Sequence, residues 1–167
     1  QSTPLPPDWT PPPEPTATYL PPLPGGLAPT ELKYRVLAAY PNLFYCDPDY
    51  YPIAREDEAE LARRRFPELQ ANTEEFAAIL AHTGLSGQSA FTGEQQLLIY
   101  REHKRLAAVM FTLAGDVYQF QLQVAETDGS GSFITGTIDG QGALTVTDEQ
   151  LSFPTCPICL AAGTQID

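Results

Sequence analysis

Positive charge is scarce in this chain of 167 residues: nine Lys and Arg stand against 21 Asp and Glu, a net charge of −12. Recognition of nucleic acid by phosphate neutralisation is therefore not expected, nor is adhesion to an anionic lipid surface. Long apolar runs are missing. No stretch approaches the roughly 18 uninterrupted apolar residues of a membrane-spanning helix, so no span is expected. Histidine is limited to His82 and His103. The two fall on different predicted helices, without cysteines at zinc-ligand spacing, and each reads as a surface or capping residue. The chain has no G-x-S-x-G, no P-loop and no G-x-G-x-x-G. No metal or cofactor is expected.

What remains is enough for a core, with 43% hydrophobic and 18% charged residues. Proline is abundant but unevenly placed: eleven of seventeen lie in residues 1–29. Proline fixes φ and removes a backbone donor, so this tract reads as a disordered, polyproline-like stalk. The sequence starts at Gln1 rather than Met, and a removed signal or lipid anchor ahead of such a stalk fits a secreted or bacterial envelope protein.

Residues 30–158 read as a single α+β domain. About four helices should precede a four-stranded antiparallel meander and pack on one of its faces. Thr30 is the expected cap of the first helix, whose Leu32, Val36, Leu37 and Tyr40 share a face, and Pro41 ends it. Residues 56–66 make the second, with acids in its first turn and Arg63, Arg64 and Arg65 in its last, as the helix dipole favours. Asn72 with Glu75, and Thr92 with Gln95, have capping-box spacing and open the third and fourth. Gly84 is a stop for the third. Arg101, Lys104 and Arg105 fall toward the end of the fourth. From Val109 the period changes to two. Tyr118, Phe120, Leu122 and Val124 alternate with Gln119, Gln121 and Gln123, the pattern of a strand buried on one face. Gly115-Asp116, residues 128–131 and residues 140–142 are the turns.

Candidate chemistry inside the domain is thin. Asp47, Asp49, Glu56, Asp57, Glu58 and Glu60 form an acidic group without the alternation and central glycine of an EF-hand loop. It is expected to be the solvated start of a helix. Every Lys and Arg lies between residues 33 and 105, which leaves the sheet half acidic. Cys156 and Cys159 form C-P-I-C. A zinc knuckle needs a second ligand pair, while a thioredoxin-like redox pair needs the motif to open a helix within a βαβ unit.

The residues from Cys159 through Leu160, Ala161, Ala162, Gly163, Thr164, Gln165 and Ile166 resemble the opening block of Hint modules, the hedgehog and intein autoprocessing family. That block runs Cys, apolar, two small residues, Gly-Thr, one variable residue and an aliphatic one. The resemblance covers residues 159–167 only, the cut start of such a module, and leaves the main domain unassigned. It implies that Cys159 attacks the carbonyl of Ile158 in an N-to-S acyl shift, once a downstream Hint module supplies the groups that polarise the amide. If Cys159 has that role, Cys46 and Cys156 remain for a disulfide; three unpaired cysteines are the alternative. The expected function is a non-enzymatic secreted or envelope domain for binding or display, its partners the downstream module and an unidentified protein or small ligand. The alternatives are a small-ligand-binding module with a groove between helices and sheet, and a thiol–disulfide redox protein using Cys156 and Cys159.

Overall fold

The computed structural model describes residues 20–50, 56–152 and 156. Its elements are α1 (Pro29–Ala39), β1 (Leu43–Phe44), α2 (Glu58–Ala71), α3 (Thr73–Thr83), α4 (Gly93–Ala107), β2 (Met110–Ala114), β3 (Val117–Ala125), β4 (Gly131–Asp139) and β5 (Leu144–Ser152). This is the expected α+β architecture: four helices, then an antiparallel meander in which β2 to β5 pair in chain order. The fifth strand is the addition. β1 comes from the Pro- and Tyr-rich stretch after α1, and its two residues pair with Val124 and Gln123 of β3.

Alternation on β3 decides which face is covered. Tyr118, Phe120, Leu122 and Val124 are buried, and they join Leu32, Val36, Ile99 and Leu106 of the helices in one core. The opposite face carries Gln119, Gln121 and Gln123 beside Thr137, Thr135 and Phe133 of β4. Phe120 lies directly across from Gly136. A Cβ on Gly136 would run into the Phe120 ring and sit 2.5 Å from the Thr145 carbonyl oxygen. The missing side chain is what lets the ring lie over β4.

Helix ends depart from the expectation in ways that have local causes. α1 starts at Pro29, a residue whose lost N–H costs nothing at a first helical position. Thr30 does not cap it. Its hydroxyl instead donates to Glu74 on α3, at 2.8 Å. α2 is capped by Asp57, whose carboxylate accepts from the N–H groups of Ala59 and Glu60. It runs through Pro67 to Ala71, so Arg63, Arg64 and Arg65 lie in mid-helix rather than in its last turn. Phe66, Phe76 and Phe91 meet edge-on with centroids 5.5–5.8 Å apart and hold α2 against α3 and the entry to α4. Thr92 and Gln95 complete a reciprocal capping box on α4. Gly84 ends α3 with φ of 72°.

Residues 20–28, assigned to the stalk from composition, pack onto the domain. Leu23 is buried in the core. The Tyr118 hydroxyl donates to the Pro21 carbonyl, and the Leu27 N–H donates to Gly140 in the β4–β5 turn at 2.8 Å. Gly26 approaches that turn so closely that a Cβ would lie 2.7 Å from the Gly140 Cα. The rest of the proline tract, residues 1–19, lies outside the described residues.

Cys46 follows β1, and Cys156 follows β5. They are joined by a disulfide with Cα atoms 5.2 Å apart, across 110 positions of sequence. In the chain-entropy model a loop of that length contributes about 4–5 kcal/mol. Alkylation of the unreduced, denatured protein should therefore label one cysteine, not three. Replacing both Cys46 and Cys156 by Ala should lower the urea-unfolding free energy by a comparable amount; labelling of all three thiols would refute the pairing.

Candidate ion cluster and cleft

The acidic group between residues 47 and 60 does not stay in solvent. Asp47, Asp49 and Glu58 turn inward and surround the ammonium of Lys104, which corrects the expectation of a wholly solvated helix start. Lys104 Nζ donates to Asp47 Oδ2 at 2.6 Å, Glu58 Oε1 at 2.7 Å and Asp49 Oδ2 at 2.9 Å. Only 6% of the Lys104 side chain is exposed. An ammonium has three donors, so all three are used. The other acids of the group behave as expected: Asp57 caps α2, while Glu56 and Glu60 pair at the surface with Arg64 and Arg63.

Each carboxylate has further partners. The Tyr100 hydroxyl donates to both Asp49 oxygens, at 2.9 and 3.1 Å. Arg101 donates from two nitrogens to Glu58 Oε2, at 2.5 and 2.9 Å. The Asp49 N–H donates to Asp47 Oδ1, closing an Asx turn around Pro48. Lys104 Nζ also lies 4.8 Å from the centre of the Tyr100 ring. Lys104 and Tyr100 are four apart on α4 and share its buried side, which is why the lysine meets the core rather than water.

Titration follows from these contacts. Burial alone would pull the Lys104 ammonium down, but its hydrogen bonds to Asp47, Glu58 and Asp49 outweigh that and hold it above the ordinary lysine range. The hydrogen bond from Arg101, with that from Lys104, keeps Glu58 below the usual carboxylate range despite its burial. Burial and the bond to Asp49 raise Tyr100 to about 12. One oxygen from each of Asp47, Asp49 and Glu58 can be chosen so that all three lie within 4.8 Å of one another, close enough for a divalent cation to bridge. The Lys104 ammonium stands in that place.

Beside the cluster, a cleft of about 290 Å³ opens between α2, α4 and the Cys46 loop. Its walls include Tyr45, Pro48 and Tyr100, and its lining includes the basic residues Arg65, His103 and Lys104. This cleft lies between two helices and a loop, a different place from the groove between helices and sheet that the sequence suggested. His82 and His103 have separate partners. His103 Nδ1 lies 2.5 Å from Glu75 Oε1. His82 stacks on Tyr34 with centroids 3.6 Å apart and bonds Glu31. Of the residues singled out at the C-terminal end, Cys156 is in the disulfide, whereas Ile158 and Cys159 lie outside the described residues.

Two outcomes test the cluster. Lys104→Met leaves three carboxylates facing one another without the ammonium, and should cost about 3–5 kcal/mol in urea unfolding. The pH dependence has two limbs. Glu58, held low, contributes stability above its unfolded pKa of roughly 4.3, and this is lost as pH falls through the folded value. Lys104, held high, contributes below roughly 10.4, and this is lost as pH rises through its folded value. Urea midpoints measured across pH should show a plateau between these limits, with an acid limb that Glu58→Gln flattens.

No protein-family model matches the chain, and no curated protein or solved structure matches it significantly, so the ion cluster and the cleft stand on their geometry alone.

Proposed function

We propose that the chain is a secreted or envelope-anchored binding or display domain placed directly upstream of a Hint-type autoprocessing module that starts at Cys159. The observation that carries this reading is the Cys46–Cys156 disulfide. A bond of this kind persists in an oxidising compartment outside the cytoplasm. It also divides the three cysteines by role. Two are committed to holding the domain, and Cys159 is the one left for nucleophilic chemistry. Cys156, bonded to Cys46, is not available as the partner that a C-P-I-C dithiol requires, which weighs against the redox alternative.

The mechanism that the resemblance implies is a two-electron acyl shift. The Cys159 sulfur attacks the Ile158 carbonyl carbon, the C–N bond to Cys159 breaks, and the freed amine takes the proton. The thioester then passes to a thiol, an amine or water. The domain itself acts by recognition or presentation. The cleft beside Lys104 supports a second reading, in which this recognition is of a small ligand.

Intact mass and C-terminal peptide analysis of the protein from the cells that make it is the test. The expected product ends at Ile158, or at its thioester adduct, and Cys159→Ala abolishes the cut. A mature polypeptide that runs uncut through Cys159 removes this reading.

A further inference from the structure

The cleft carries a charge pattern that the chain as a whole does not. In a protein with 21 acids and nine Lys and Arg, the described residues that line it include Arg65, His103 and Lys104 and no Asp or Glu. Of the acids beside it, Asp47, Asp49 and Glu58 are spent on Lys104 and Glu75 on His103. Lys104 in turn has no donor left, and its charge is met by three carboxylates, so it offers an anionic occupant neither a hydrogen bond nor a net positive field.

Arg65 is different. It belongs to a run of three arginines on α2. Arg63 pairs with Glu60 and Arg64 with Glu56. Arg65 has no ion-pair partner among the described residues, and it is the member of the run that lines the cleft. His103 also lines the cleft; its Nδ1 lies against the Glu75 carboxylate, so its Nε2 offers a donor to an occupant only in the imidazolium form. Tyr45 and Pro48 supply flat, mainly apolar wall, with the buried Tyr100 behind it. A guanidinium fork matches a carboxylate in two parallel hydrogen bonds, and an aromatic body suits the tyrosine and proline surfaces. The volume, about 290 Å³, is at the small end for ligand sites.

We propose that this cleft binds a small aromatic carboxylate, with the carboxylate on Arg65, a second donor from His103 Nε2 when that ring is protonated, and the aromatic ring against Tyr45 and Pro48. The inference rests on the binding part of the function proposed above and not on the processing part, so it can fail while cleavage at Cys159 stands.

Benzoate is the probe. Titration into the ¹⁵N-labelled 167-residue protein at constant ionic strength should give saturable shifts confined to amides around Arg65, Tyr100 and Ala107, with Kd near about 1 mM or tighter. Arg65 is exposed on its helix, so Arg65→Gln should keep the native spectrum and weaken binding roughly tenfold or more. Benzyl alcohol, with the ring and no charge, and inorganic phosphate, with charge and no ring, should each bind far more weakly. The absence of saturable shifts with benzoate overturns the proposal. So does benzoate binding that Arg65→Gln leaves unchanged. Phosphate binding as tight as benzoate overturns the aromatic assignment.

Discussion

Burying the Lys104 ammonium is the constraint on which this structure turns. An ammonium taken out of water needs partners for all three of its N–H groups, and the effective penalty for leaving them unmet is several kcal/mol. The partners come from places far apart in sequence. Asp47 and Asp49 sit in the loop after β1, and Glu58 opens α2. One side chain on α4 therefore fixes the loop, the start of α2 and the helix that carries it. Replacing such a cluster with apolar side chains of similar volume is often neutral or stabilising. Its role here is best understood as geometric: without it, nothing in the composition of residues 45–50 says where that loop should lie. The Cys46 disulfide acts on the same loop from the neighbouring residue and adds the chain beyond β5. Ion cluster and disulfide thus hold adjacent residues by unrelated forces, one sensitive to pH and the other to reductant.

Charge partition in the fold has the same logic. The described cations lie in the helical half, where several have assigned tasks. Lys33 donates to the Leu106 carbonyl at the end of α4, as the helix dipole favours, and Arg105 pairs with Glu102 within that helix. The sheet half uses its acids in turns. Asp128 is held low by its bonds from the Ser130 hydroxyl and N–H. Asp139 is held low by the N–H groups of Ala143 and Gln141 in the β4–β5 turn. β5 forms an edge of the sheet, with Val146 48% and Leu151 76% exposed. Asp148 and Glu149 lie between them. Two copies pairing antiparallel about the middle of this strand would set these acids against each other, a barrier to edge-to-edge association of the kind that edge strands commonly carry.

Much of the scaffold was legible in the sequence because it depends on local rules. The alternation of Tyr118, Phe120, Leu122 and Val124, the Thr92–Gln95 box and the Gly84 stop all act within a few residues of themselves. The departures arise where a distant group intervenes. Thr30 has a cap's chemistry, but Glu74 on another helix takes its hydroxyl. Pro67 is a helix breaker in isolation, yet the contacts of Phe66 with Phe76 and Phe91 sustain α2 around it. Leu20 to Ala28 reads as stalk by composition, but Leu23 finds the core and Pro21 finds Tyr118. The ion cluster was the largest omission. Its members are three acids that look solvated and a lysine that looks like a dipole complement at a helix end. One signal was present: Lys104 follows Tyr100 by four residues, which puts a charge on the apolar stripe of α4, and a charge there demands acids from elsewhere.

The position of the disulfide links the two functional readings in space. From Cys156 to the Ile158 carbonyl the chain has at most three residues of reach, roughly 11 Å when fully extended. Under the processing reading, the scissile bond must therefore stay near the end of the domain where Cys46 sits, whatever path residues 157 and 158 take. Cys46 is itself part of the wall of the cleft. A module that begins at Cys159 would then dock beside the same loop that shapes the ligand site. Its attachment and its loss would be felt first by Tyr45 and Pro48, the residues that flank Cys46 and Asp47 in the chain. Under these two readings one covalent latch would join the binding surface to the processing point, and the Lys104 cluster holds the loop on the domain side of that latch.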